Sequence, residues 1–546
     1  MKIYFRENEG LYADENLIAN FEPRVIGIRR HIRLPDRTTK MTYEIMVRKI
    51  DGTETEIKEI DNLCQISYFD MWNIPDCALS AKQKKILQYK LQQDVAQLNK
   101  QQIENIVQVD QGLYHYIGSD IYSFGENIFM SHALEQGISV INETGISLRN
   151  NVGSDWQLSL KNYINFFPGV SEMLFYGALF GVIKPILCDM NDIDDMGIKP
   201  DFAISLVGPS GHLKTSMVRK YALWLDDSEK QEVSFRDHRR NSSIIAMIDK
   251  IPGQNFLVDD LHETRASDVA ARQQEKLDSW VRHIGVHRNS ANLFVTGETM
   301  EKMGIFSCKD RILQIKIPRK NSEELKELKR KIGLLSSGYM GGLATLFLES
   351  LMKNYDSVKK RIREYMEQNL NIEGVNYDTR TYHHGIFIRL TEELFRQYMC
   401  MGLSDVTEAK ALDDAIKKNC MIQQGELQRE CDIDYAVDVY KMLTGNNKYI
   451  TVVASALEYV PGQLDRCAWT DNRVYITKEA LVQGMIKYYG HFVSWRKIID
   501  DLDEKALLDE DCDKRGKKFM KKRHYVIMLD ALRSYIKWKK NCGMKP

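Results

Sequence analysis

Apolar and polar positions follow different registers along the chain, and the changes of register divide it. Up to about residue 75 the pattern is mainly that of strands, and Tyr43 to Lys58 carries Asp51-Gly52 between extended stretches, a hairpin signal. From Leu79 to Val107 a polar stretch rich in Gln and Lys keeps a stripe of Ile86, Leu87, Leu91, Val95 and Leu98, which predicts one long helix. Val109 to Phe129 predicts a second hairpin, turning at Gly118-Ser119-Asp120. Its evenly spaced Tyr114, Tyr116, Tyr122 and Phe124 read as core or cross-strand pairs rather than as a base-stacking platform. Ser154-Asp155 before Trp156 opens a capped helix that Pro168-Gly169 ends. Ser171 to about Ile183 is next, a strongly apolar helix expected to lie buried beside the next domain.

Beyond Asp201 the register changes again. Five short apolar runs (Phe202–Val207, Glu232–Phe235, Asn255–Val258, Asn292–Thr296 and Ile312–Ile317) alternate with helical stretches, the pattern of a parallel sheet with crossover helices. After Lys320 the chain is charged through Glu323 to Lys331, and residues 336–445 read almost wholly as helix. From about Tyr449 helices mix with a basic hairpin. The expected domains are residues 1–150 (α+β), 151–320 (an α/β core with leading helices), 321–448 (helical) and 449–546 (helix–helix–hairpin).

Composition narrows the class. The chain has 546 residues and equal numbers of Lys+Arg and Asp+Glu, 76 each, so it has no net positive field and any nucleic-acid contact must be a local patch. Ten scattered cysteines without a C-x-x-C argue against a disulfide framework or zinc knuckle and for a reducing compartment. The polar start MKIYFRENEG does not read as a signal peptide. The longest apolar run, Met173 to Ile183, is too short to span a bilayer. The expectation is a cytoplasmic protein without a membrane partner.

The most informative segment joins the first core strand to a helix: Gly208-Pro209-Ser210-Gly211-His212-Leu213-Lys214-Thr215-Ser216. An apolar strand, a glycine-containing turn, Lys-Thr and a helix form the context of a P-loop. Backbone N–H groups of the turn and of the helix start point at phosphates. Lys214 would reach the β and γ phosphates of ATP, and Thr215 would offer its hydroxyl to Mg²⁺. Leu213 stands where the strict pattern G-x-x-x-x-G-K-[ST] has its second Gly, which requires either a negative φ there or accepted strain.

About 50 residues on, Asn255-Phe-Leu-Val258 ends in Asp259-Asp260. Asp259 is assigned to magnesium and Asp260 to activation of water, with Glu263 a rival for the base. Asn292-Leu-Phe-Val-Thr296-Gly-Glu298 is another strand with polar residues at its carboxyl end, where ligands sit in such sheets, so Thr296 would sense the γ phosphate or position the water. Arg311, just before the last strand, would reach a neighbouring subunit's nucleotide, with Arg319 and Arg282 as competitors.

Together these segments resemble the core of ring-forming ATPases, the superfamily 3 and AAA+-related helicases, and within them the helicase-like ATPases of phages, plasmids and integrative or cassette elements. The resemblance covers about residues 150–320. It implies a homo-oligomer such as a hexameric ring, ATP hydrolysis between subunits, and translocation on DNA. The tail adds a separate observation. Two helical stretches, Lys478 to Tyr489 and Ser494 to Leu508, precede a basic hairpin, an order like that of a winged helix. Lys514, Arg515, Lys517, Lys518, Lys521, Lys522 and Arg523 put seven cations into ten residues, suited to sequence-independent contact with DNA phosphates. Tyr382-His383-His384-Gly385 is not read as a metal site, because adjacent His residues cannot face one side of a helix or strand. The sequence therefore predicts an ATP-driven motor on DNA, with a nucleotide-gated oligomeric switch as the alternative.

Overall fold

The computed structural model describes the chain except for residues 76–78, 154–155, 191–195, 197, 236–239, 262–266, 287–289, 299–310, 371–379, 400–411, 421–433, 447, 455–458, 461–464, 490–494, 510–516, 520–521 and 542–546. It divides into two compact units, residues 1–147 with 349–355, and residues 148–348 with 356–546.

The first unit is built on strands. Its largest sheet has the order Ile138–Asn142, Ile103–Val109, Phe21–Arg33, Thr38–Lys49, Lys58–Ile60. The dominant hairpin pairs Phe21–Arg33 with Thr38–Lys49, and Asp36 at its turn accepts from the Thr38 N–H at 3.2 Å. The expected turn at Asp51-Gly52 forms, with the Gly52 N–H on the Lys49 carbonyl at 3.0 Å, but it leads only to the three-residue strand Lys58–Ile60. The long helix expected over 79–107 is corrected. Ser80 caps a helix that runs Ala81–Gln97, and Ile103–Val109 is a strand paired with Phe21–Arg33. In the run I-E-N-I-V-Q-V the apolar Ile103, Ile106 and Val107 keep the i, i+3, i+4 spacing of a helix, so the sequence extends the stripe before it although the segment forms a strand. Gly112–Tyr116, Ser119–Phe124 and Asn127–Met130 form a three-stranded antiparallel sheet, in which Tyr114, Tyr116, Tyr122 and Phe124 are buried as core.

The second unit contains a five-stranded, wholly parallel sheet. Its order is Glu232–Ser234, Asn255–Leu261, Asn292–Gly297, Ala203–Val207, Ile312–Lys316. Every residue of Ala203–Val207 and Asn292–Gly297 is buried, as expected of strands covered on both faces. The apolar helix runs Ser171–Asp189, longer than the run read from sequence. Its 19 residues would suffice to cross a membrane by length and composition, yet Ser171 through Leu187 are buried inside this unit. Gly177 and Gly181 bring it close to the sheet: a Cβ on Gly177 would lie 2.8 Å from Ile204, and one on Gly181 would lie 2.9 Å from Asn255. Phe175 and Phe180 of the same helix pack on Phe395 and Phe387 of the helix Arg380–Met399. Each large apolar side chain so buried contributes roughly 1.5–3 kcal/mol. On the same helix His384 stacks on Phe202 at 4.3 Å, a core contact.

Towards the carboxyl end a separate core gathers around the sheet Thr451–Val453, Arg466–Thr470, Arg473–Ile476, Lys522–Met528, Lys517–Phe519. The helices Tyr435–Thr444, Lys478–Tyr489, Trp495–Glu504 and Leu529–Asn541 pack with it. Asp434 caps the first of these and accepts from Lys505 (2.9 Å), Lys539 (2.6 Å) and Tyr535 (2.8 Å), tying three helices together. Burial pushes its carboxyl up, but the bonds from Lys539, Lys505 and Tyr535 overcome that and hold it well below the usual carboxylate range.

Candidate functional site

The turn after Ala203–Val207 is set by its glycines. A Cβ on Gly208 would lie 2.9 Å from the Ile317 Cβ and 3.1 Å from its carbonyl oxygen, so only glycine lets the loop leave the sheet there. Gly211 takes φ +75. Leu213 takes φ 59, ψ 21, so this position is left-handed although it is not glycine, at a cost of roughly 1–2 kcal/mol. Leu213 is also the N-cap of the helix Lys214–Ala222 and makes no side-chain cap bond, which leaves the N–H groups of the first turn directed into the loop.

Lys214 folds over this loop, donating to the Gly208 carbonyl at 2.8 Å and the Pro209 carbonyl at 2.9 Å. Burial lowers its pKa, opposed by the charges of Glu298, Asp259 and Asp260. Thr215 Oγ1 donates to Asp259 Oδ1 at 2.6 Å, and Thr296 Oγ1 donates to the same oxygen. The Asp260 N–H donates to Thr296 Oγ1 at 3.3 Å. The strand Asn255–Leu261 has a bulge between Val258 and Leu261, and Asp260 sits in it at φ 70.

The structure thus brings the loop 208–216, Asp259, Asp260 and Thr296 to the carboxyl end of the sheet. Arg311 is not with them. Its carbonyl accepts from the Ala203 N–H at 2.9 Å, at the amino end of the strands. The five residues of Ala203–Val207 separate it from the loop by about 16 Å. Glu263 lies outside the described residues, as do Lys514, Arg515 and Lys521. Lys517 starts the strand Lys517–Phe519, which pairs antiparallel with Lys522–Met528. Lys518, Lys522 and Arg523 on this hairpin are exposed.

Two features escape a reading of the sequence. Glu298, half-buried one residue beyond the strand, is the carboxylate with the largest effect on Lys214. Its Glu-after-Gly position is visible, but nothing in the pattern gives its direction. His212, buried within the loop, accepts from the Lys320 N–H at Nε2 (3.1 Å), while its Nδ1 lies 3.0 Å from the Ser210 carbonyl oxygen. No sequence signal links positions 212 and 320.

Beside the loop opens a cavity of about 640 Å³. Leu213, Ser216, Arg219 and Lys220 form one side, and Lys329 and Ile332 of the helix Ser322–Leu334 form another. Arg219 is held by Glu232 through a bidentate pair, with the closest contact 2.6 Å. Lys220 donates to the Leu335 carbonyl at 2.7 Å.

No protein-family model matches the chain, and no curated protein matches it. Among solved structures, one described as "SCCmec type IV Cch - active helicase" aligns over 94% of this chain and 95% of that chain, at 11% sequence identity and a TM-score of 0.49.

Proposed function

We propose that the chain binds and hydrolyses ATP at the loop 208–216 and uses the energy to move on DNA as a ring-forming helicase or translocase of the mobile-element type. The observation that carries the nucleotide part is the Thr215–Asp259 hydrogen bond of 2.6 Å, made between the loop's hydroxyl and a carboxylate on a strand that does not adjoin Ala203–Val207 in the sheet. Two hard oxygen donors from two elements, beside a lysine folded on the same loop, suit a triphosphate and a divalent cation. In this reading Lys214 exchanges the carbonyls of Gly208 and Pro209 for phosphate oxygens, and the helix N–H groups bind the same anion. Thr215 and Asp259 would hold Mg²⁺, which when bound neutralises charge on the phosphates. Asp260 orients or deprotonates the attacking water, and the Thr296 hydroxyl holds the strand tip by donating to the Asp259 carboxylate and accepting from the Asp260 backbone N–H. The cavity beside Leu213 and Ser216 would take the base and ribose.

The DNA part rests on the hairpin with exposed Lys518, Lys522 and Arg523, whose charges suit contact with phosphates. Arg311, a sheet's length from its own loop, acts in this reading only on a neighbouring subunit's nucleotide. The strained Leu213 favours a second reading, a nucleotide-gated switch with slow turnover. Native mass with and without MgATP, measured beside ATP turnover with and without single-stranded DNA, separates the two. A motor assembles and speeds up on DNA, a switch assembles without acceleration, and a chain that does neither contradicts both.

A further inference from the structure

We propose that His212 is the positioning residue that couples the phosphate loop to the helix Ser322–Leu334, so that loading the loop and closing the cavity's far wall are one event. The proposal rests on the nucleotide reading of the loop and goes beyond it, because it concerns the His212 side chain, to which that reading gives no phosphate or metal contact.

The ring of His212 is buried and bonded at both nitrogens. Nε2 accepts from the Lys320 backbone N–H at 3.1 Å, so the proton must sit on Nδ1, which then donates to the Ser210 carbonyl at 3.0 Å. One neutral tautomer satisfies both bonds. On the loop side, His212 stands between two left-handed residues, Gly211 at φ +75 and Leu213 at φ 59, so the backbone that would cradle the anion also sets the direction of the ring.

On the helix side, Lys320 is locked to the first turn of the helix. Its ammonium bonds Glu324 Oε1 at 2.9 Å. Asn321 then closes a capping box: its side chain accepts from the Glu323 and Glu324 N–H groups, and Glu324 Oε2 accepts from the Asn321 N–H at 2.9 Å. A shift of the Lys320 peptide therefore carries the start of this helix with it. The same helix bears Lys329 and Ile332 on the cavity, opposite Leu213 and Ser216. A chain of bonded groups thus runs from the loop through one imidazole to the wall that faces a bound nucleotide.

Two substitutions separate coupling from general damage. His212→Leu keeps the bulk and removes both bonds. His212→Gln keeps an acceptor for the Lys320 N–H and a donor for the Ser210 carbonyl. The measurements on the full chain are the Kd for MgATP and amide hydrogen exchange over residues 320–334, with and without nucleotide. In the wild type, nucleotide slows exchange in this segment. His212→Leu weakens binding by about tenfold, the net scale of the two lost bonds, and abolishes the slowing. His212→Gln restores both to within about threefold. Wild-type binding and slowing in His212→Leu would overturn the coupling alone, as would a folded His212→Gln that behaves like His212→Leu. A wild type that binds no nucleotide overturns the nucleotide reading, and the coupling with it.

Discussion

Thr215, in the helix Lys214–Ala222, and Asp259, at the tip of the strand Asn255–Leu261, lie 44 residues apart in sequence and are joined by a hydrogen bond of 2.6 Å. Thr296, on the strand between Ala203–Val207 and Asn255–Leu261, donates to the same carboxylate oxygen. If this trio holds a divalent cation, Asp259→Asn removes the anionic ligand without changing shape. Turnover of ATP is expected to fall at least about 100-fold, and the loss should not be recovered at raised Mg²⁺. Steady-state kinetics against Mg²⁺ concentration checks this.

Leu213 tests the backbone of the loop. At an ordinary position alanine is more stable than glycine, but in the left-handed region the order reverses. Leu213→Gly is therefore expected to be more stable than Leu213→Ala by about 1 kcal/mol. Comparing the two variants with each other cancels the lost leucine packing. Urea denaturation of both, read by circular dichroism, measures the difference.

The basic hairpin is tested by salt. Replacing Lys518, Lys522 and Arg523 by Gln should weaken binding to single-stranded DNA regardless of sequence. It should also flatten the dependence of log K on log salt by about 0.7 per lost phosphate contact. ATP turnover without DNA should stay unchanged, since these residues belong to a different sheet from the loop. Fluorescence anisotropy over a salt series is the readout.

Lys184 carries a pH prediction. Wholly buried, it donates to Ser290 Oγ at 3.2 Å and to the Ala291 carbonyl at 3.0 Å. Burial pushes its pKa down to about 8, against the opposing effect of Cys188, Asp201 and Asp249. Between about pH 8 and the ordinary lysine value near 10.4, the unfolded chain binds a proton that the folded chain does not, so stability rises with pH across that window. Below it this contribution is flat. Lys184→Met should abolish a rise on the order of 2 kcal/mol between about pH 7.5 and pH 10, measured by denaturation of both proteins at each pH.

The α/β core is legible in the sequence because its strands are buried on both faces and read as uninterrupted apolar runs. Ala203–Val207, Asn255–Leu261, Asn292–Gly297 and Ile312–Lys316 fall where the pattern puts them, within a few residues at each end. Their order in the sheet is not legible, since it depends on crossovers that periodicity does not encode. Ile103–Val109 is hidden because its Ile103, Ile106 and Val107 keep helical spacing soon after a helical stripe. In the site, residue types at strand tips are visible. The bulge that holds Asp260 at φ 70, the left-handed Leu213, the His212–Lys320 bond and the position of Arg311 at the opposite end of the sheet are not. Each depends on contacts between segments far apart in sequence.

Every role assigned to the site requires the turn from Gly208 to Ser216 to grip the phosphates of ATP. The deciding experiment is phosphate release from MgATP by the wild type and by Lys214→Ala, in parallel and at equal folded concentration. Hydrolysis is expected from the wild type, with a loss of at least about 100-fold in Lys214→Ala. Equal rates in the two proteins, or no hydrolysis by the wild type in the presence of single-stranded DNA, would contradict ATP hydrolysis at this turn.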